Sequence, residues 1–132
     1  MQKYKKVNIM VKNILIVDDI GFIVEFEKMV IESLSKELKI TIDVDVANTV
    51  YDANAKVEEN DYDAMIVDMN LPDGTGVEIA KAALKKDENI RIAALTIYPN
   101  KYEEHRAYFD MFLKKPIMPK LYKEKLCQLL RI

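Results

Sequence analysis

Four apolar runs in this chain end on side chains that can carry or attract charge. "NILIV" (13–17) leads into Asp18 and Asp19, and "AMIV" (64–67) leads into Asp68. "IRIAAL" (90–95) leads into Thr96, and "MFL" (111–113) is followed by Lys114 and Lys115. A carboxylate placed where a buried segment breaks into a loop is costly unless its charge is used. Three such carboxylates at one crevice repel one another, so either some are protonated or a cation sits among them. Oxygen-only ligands open to water suit Mg²⁺ better than a caged Ca²⁺ or a transition metal. No histidine or second cysteine accompanies them, which argues against zinc. With a hydroxyl at Thr96 and an ammonium at Lys115, the set is that of a phosphoryl-transfer site. Asp68 would be the covalent acceptor, and Mg²⁺ and Lys115 would neutralise the phosphoryl oxygens.

The chemistry requires these residues to meet, so the elements that carry them matter. After Asp19, the apolar residues Phe22, Ile23, Phe26, Met29, Val30, Leu34 and Leu38 recur at helical spacing. "ITIDVDV" (40–46) alternates strictly and reads as a strand with one wet face. A weaker helix covers about 49–59, with Val50, Ala53 and Val57 on one side. Helices are also expected near 75–86, 100–108 and 118–130. Five strand–helix repeats imply parallel strands joined by helical crossovers. Residues 13–17, 64–67 and 92–95 are continuously apolar, as strands covered on both faces are; 40–46 has the pattern of an edge. The fold class is therefore α/β, a flavodoxin-like (βα)5 three-layer sandwich with a parallel sheet of order 2-1-3-4-5. In such a sheet ligands bind beyond the carboxyl ends of strands one and three, where Asp18, Asp19 and Asp68 stand.

Composition narrows the class further. The chain has 132 residues, enough for one core, and a formal net charge of −2, which predicts no general affinity for nucleic acid or anionic membrane. No apolar stretch has the length of a membrane span or the form of a signal peptide. Cys127 is the sole cysteine, so no internal disulfide points to secretion, and a cytoplasmic location is expected. The domain reading is a basic N-terminal extension over 1–12, expected to be frayed, followed by one domain over 13–132. "MVKNILIVDD" also reads well as a start at Met10, which would make residues 1–9 dispensable.

Taken together, "ILIVDD", "MIVDMNLPDGTG", "IAALT" and "FLKKPI" resemble the response-regulator receiver domains of two-component signalling, in the family's order and across nearly the whole chain from Asn13. The resemblance implies that Asp68 is the phospho-acceptor and that Asp18 and Asp19 are the acidic pair. Metal contacts would come from Asp19, Asp68 and the backbone carbonyl of Asn70, with Asp18 beside them. Thr96 would be the switch hydroxyl, Phe112 the switch aromatic and Lys115 the phosphate-pairing lysine, with a cis bond to Pro116. The implied function is that of a stand-alone, chemotaxis-type receiver or phosphorelay intermediate. It would take a phosphoryl group from the phosphohistidine of a sensor kinase or phosphotransfer protein and answer by altered protein–protein binding on its last two helices. No contact with nucleic acid or membrane is implied, and the expected state is a monomer or weak dimer. The domain would signal rather than act as an enzyme, apart from taking up and losing its own phosphoryl group.

The sequence departs from the family pattern in one region. Ile97 follows Thr96 where a small residue is favoured, Tyr108-Phe109 replaces a common Gly-Ala pair, and Thr96 to Lys115 looks short by about one helical turn. Pro99 disfavours helix at Tyr98, so the fourth helix is expected to be shortened or irregular. Plainer readings stand beside these. Asp18-Asp19 would also serve as a helix N-cap, Lys115 as an exposed lysine like Lys114, and Phe112 and Cys127 as core. The run Tyr98, Tyr102, His105, Tyr108 and Phe109 is aromatic enough for a partner-binding patch, although core packing explains part of it. Two other functions stand beside the receiver. One is a degenerate receiver that binds a partner without phosphorylation. The other is a haloacid-dehalogenase-type phosphatase, which would need an acid two residues after its nucleophile; here that residue is Asn70, and the acidic pair comes first in the chain rather than last.

Overall fold

In the computed structural model, which describes residues 10–132, the expected alternation is complete. Strands β1 (Val11–Val17), β2 (Thr41–Ala47), β3 (Ala64–Asp68), β4 (Arg91–Thr96) and β5 (Met111–Lys114) form one parallel sheet of order 2-1-3-4-5. Helices α1 (Gly21–Leu38), α2 (Val50–Glu59), α3 (Gly76–Lys86) and α4 (Pro119–Leu130) are α-helical, and the connection from β4 to β5 is a 3-10 helix, Pro99–Tyr108. Most of the expected basic arm, residues 1–9, lies outside the described residues. Val11 and Lys12, assigned to that arm from sequence, instead belong to β1, where they pair with Thr41 and Ile42.

The sheet sorts its side chains by parity. Leu15, Val17, Met65 and Val67 face α2 and α3, whereas Ile14, Ile16, Ile66 and Leu95 face α1 and α4. All eight are essentially sealed from solvent, which is why these strands read as unbroken apolar runs. On one side, Lys86 of α3 donates to the carbonyls of Val57 (2.6 Å) and Asn60 (2.6 Å), tying α3 to the end of α2. On the other, α1 presents a stripe that differs from the apolar set in the sequence. Val24, Glu27, Val30, Ile31 and Leu34 face inward, while Phe22 and Met29 stand 78% and 70% exposed. The interior positions keep helical spacing, yet one of them is an acid.

The register delivers the site. Val17 pairs with Val67, so Asp18 and Asp68 leave the sheet from neighbouring strands. Asp68 pairs with Leu95, and Thr96 with Lys114, so Thr96 and Lys115 follow on the next two strands. The β4–β5 connection is irregular as expected. Its 3-10 helix is interrupted at Tyr102 (φ −109°, ψ 20°). Its far end is pinned by Asp110, which accepts from the Ile92 N–H (2.6 Å) and pairs with Arg91 (3.0 Å).

Candidate functional site

Asp18 begins where β1 ends. Its main chain is fixed on both sides, the N–H donating to Ala47 O (3.0 Å) and the carbonyl accepting from Asn48 Nδ2 (2.9 Å). Its carboxylate is fully buried, with Oδ1 accepting from the Ile20 N–H (2.9 Å) and Oδ2 from Lys115 Nζ (3.2 Å). Asp68 closes β3 in the same way, with Oδ1 accepting from the Asn70 N–H (3.1 Å) and Oδ2 lying 3.3 Å from Lys115 Nζ. One ammonium thus bridges two buried carboxylates. Asp19 is exposed, and oxygens of Asp18, Asp19 and Asp68 all lie within 4.8 Å of one another. Burial pushes the Asp68 carboxyl above the usual carboxylate range, against the opposing pull of the Asn70 N–H and Lys115. Three acids against one lysine leave a crevice with excess negative charge and only oxygen donors. That donor set, open to water at Asp19, suits a hard divalent cation.

The other expected residues gather at the same place. Thr96 is buried at the end of β4; its hydroxyl accepts from the Tyr98 N–H (3.0 Å), while the Lys115 N–H donates to the Thr96 carbonyl (2.9 Å). The Lys115–Pro116 bond is cis. Asp19, Asp68, Asn70, Thr96 and Lys115 all line one open cavity of about 720 Å³. Ile97 and Tyr98, both exposed, stand on its rim. Phe112 is not on its wall. It is half-buried against Phe109 (centroids 5.2 Å apart), with the Arg106 guanidinium 4.8 Å from its ring. Of the other aromatic residues in that stretch, Tyr102 is buried, whereas His105 is half-exposed beside Glu104 (3.3 Å).

The loop after Asp68 is braced from outside. Asp73 accepts from the Val50 N–H (2.7 Å) and the Tyr51 N–H (3.0 Å), capping the start of α2 across the crevice. A Cβ on Gly76 would stand 2.7 Å from Val67 Cγ1 and 3.0 Å from the Asp68 carbonyl, so α3 packs directly on β3. Gly76→Ala is therefore expected to destabilise the chain by about 1–3 kcal/mol, the usual cost of overpacking. An unchanged urea midpoint would show that the strand yields instead.

Sequence reasoning missed Glu27. Its side chain is 1% exposed; Oε1 accepts from the Tyr122 hydroxyl (2.8 Å), and Oε2 has no hydrogen-bond partner. It lines the inner wall of the same cavity. Desolvation pushes its carboxyl up to about 8, opposed by the Tyr122 hydrogen bond and reinforced by the negative charge of Asp18. The only signal was positional, since residue 27 lies three or four places from the buried Val24, Val30 and Ile31.

The response regulator receiver domain family matches residues 14–127. The aerobic respiration control sensor protein ArcB of Escherichia coli is 32% identical over 110 residues, covering 80% of this chain; the match takes in 13% of the relative's length. Among solved structures, a CheY-like receiver domain from Methanospirillum hungatei superposes with a TM-score of 0.79 at 27% identity, covering 92% of this chain and 94% of that one. The chemotaxis response regulator CheY4 of Vibrio cholerae does so with 0.80 at 26% identity, covering 92% and 100%. Response regulator TrrA of Thermotoga maritima, solved in complex with Mg²⁺-BeF, gives 0.73 at 29% identity, covering 90% and 99%. With the fold, strand order and acidic cluster in agreement, the chain belongs to the response regulator receiver domain family of two-component signalling.

Proposed function

We propose that this domain accepts a phosphoryl group on Asp68 from the phosphohistidine of a sensor kinase or phosphotransfer protein. The observation that carries this reading is the Lys115 ammonium held between Asp18 and Asp68 in a cavity shared with the Thr96 hydroxyl. A carboxylate oxygen of Asp68 forms the new P–O bond while the donor's P–N bond breaks, and the departing imidazole nitrogen takes up a proton. Lys115, freed from Asp68 as that charge is esterified, turns to the phosphoryl oxygens without leaving Asp18. The Asn70 N–H holds the acceptor carboxylate in place for attack. Thr96, whose hydroxyl proton is not committed by its bond from Tyr98, donates toward the added group. Asp19, Asp68 and Asn70, with Asp18 beside them, are the residues to hold Mg²⁺, which when bound supplies positive charge to the phosphoryl oxygens. Output is by altered binding of a partner protein to the face formed by the 3-10 helix and α4, driven by the negative charge added at the crevice. Among the described residues no helix is long and apolar enough to cross a membrane.

Intact mass after incubation with phosphoramidate and Mg²⁺ tests this. One added phosphoryl group is expected, absent in Asp68→Asn and absent with chelator. A parent chain that gains no mass, and that also fails to bind beryllofluoride, would be a phosphorylation-independent binding module instead.

A further inference from the structure

Phe112 holds the place that the family pattern gives to the switch aromatic, but its ring is engaged by other partners. Its ring meets Phe109 edge-on and lies under Arg106, and Arg106 is in turn held by two bonds to Glu103 (both 3.0 Å). A bidentate Arg–carboxylate pair is directional, and a guanidinium over a ring face adds attraction of its own. Phe112 is also absent from the wall of the cavity that Asp68 and Thr96 share.

Tyr102 has the opposite properties. It is the one buried residue of the 3-10 helix, its ring packs with Met69, Val77 and Ala94, and it lines the cavity beside Asp68, Asn70 and Thr96. Its hydroxyl donates to the carbonyl of Met69, between the acceptor aspartate and Asn70. At 3.4 Å that bond is longer than the usual hydroxyl–carbonyl distance, so a shift of a few tenths of an ångström at Met69 or Tyr102 would bring it to normal length. The helix is interrupted at this residue, whose φ and ψ fall in the bridge region, so Tyr102 can turn on its own backbone without carrying all of Pro99–Tyr108 with it.

We propose that Tyr102, rather than Phe112, couples the occupied site to the 3-10 helix, as a positioning residue whose hydroxyl holds the backbone between Asp68 and Asn70. The inference rests on the receiver reading. Filling the crevice draws Met69 and Asn70 into a fixed position, the Tyr102 hydroxyl closes on the Met69 carbonyl, and residues 99–101, on the crevice side of the interruption, follow the ring. The surface that changes is then residues 99–101, while Arg106, beyond the interruption, stays over Phe112.

Tyr102→Phe removes the hydroxyl and keeps the ring. Because the bond is long in the metal-free chain, the variant should melt at the parent's temperature without Mg²⁺. Its Mg²⁺ affinity, read by isothermal titration, should fall about fivefold, the worth of one net hydrogen bond formed on loading. Saturating Mg²⁺ should restore its uptake of phosphoryl from phosphoramidate, which a merely structural defect would not allow. Phe112→Leu should leave the Mg²⁺ affinity unchanged. The inference is overturned if Tyr102→Phe loses metal-free stability with unchanged Mg²⁺ affinity, or if the affinity change follows Phe112→Leu instead. A parent chain that binds Mg²⁺ but gains no phosphoryl group would sink the receiver reading alone, because the Mg²⁺ titrations still decide the role of Tyr102.

Discussion

Lys115→Met should cost the metal-free chain about 3 kcal/mol at neutral pH, the low end of what breaking a buried ion pair costs. Lys115 Nζ lies 3.2 Å from Asp18 and 3.3 Å from Asp68, both buried, so its loss leaves two carboxylates without their counter-charge. The methionine stem preserves most of the lysine's apolar packing, which confines the change to the charge. The loss should be conditional. A divalent cation among Asp18, Asp19 and Asp68 replaces the missing positive charge, so millimolar Mg²⁺ should raise the melting temperature of the variant more than that of the parent. Melting curves with Mg²⁺ and with chelator check both halves. Equal Mg²⁺ shifts in the two proteins would mean that the lysine does not neutralise the acidic crevice, and the electrostatic account of the site would have to be abandoned. Phosphoryl uptake should collapse in the variant even at saturating Mg²⁺, because no other lysine bridges Asp18 and Asp68 among the described residues.

Glu27→Gln should have the opposite sign. The Glu27 carboxyl is held up to about 8 in the folded chain, against 4.5 for an ordinary glutamate. A group whose folded value is raised contributes fully below the unfolded value, and that contribution is lost as pH rises to the folded one. Between pH 4.5 and about 8 the folded chain therefore carries roughly one more proton than the unfolded chain, and parental stability falls by about 1.4 kcal/mol per pH unit from this group. Glutamine needs no proton and still accepts from Tyr122, so the variant should be more stable by about 2–4 kcal/mol at pH 7.5 and nearly level with the parent at pH 4.5. Urea titrations in chelator at several pH values read the difference in slope. Parallel profiles would mean that Glu27 is solvated or paired in solution. Asp18 and Asp68 raise the Glu27 carboxyl and Lys115 lowers it, so the lysine substitution should push it higher still.

The parts of the site that were legible in the sequence share one cause. Asp18, Asp68, Thr96 and Lys115 each follow an apolar run, and parallel strands with helical crossovers bring all such ends to one edge of the sheet. Local pattern therefore implied a non-local meeting. Glu27 escaped because its partner Tyr122 lies 95 residues away, and nothing near it in the chain marks an acid as interior. Phe22 and Met29 share the helical spacing that marked α1, yet they stand in solvent on its outer side, because spacing identifies the helix without saying which apolar residue faces the core. The bracing of α2 by Asp73, across 23 and 22 residues, belongs to the same class of long-range contact. The first strand reached back to Val11 because β2 was there to pair with it, a tertiary effect that outweighs the weak strand preference of Lys12.

The β4–β5 crossover has a consequence that lies in arithmetic rather than chemistry. It is anchored at one end by Thr96 and Lys115 and at the other by Asp110 on Ile92 and Arg91. A 3-10 helix advances about 2.0 Å per residue against about 1.5 Å for an α-helix, so each piece of Pro99–Tyr108 on either side of the Tyr102 interruption reaches farther than the same residues would in an α-helix. Fewer residues therefore cover the same crossover, which is how the short count in the sequence is accommodated. The interruption at Tyr102 divides the connection into two short pieces and is the joint at which their angle is set.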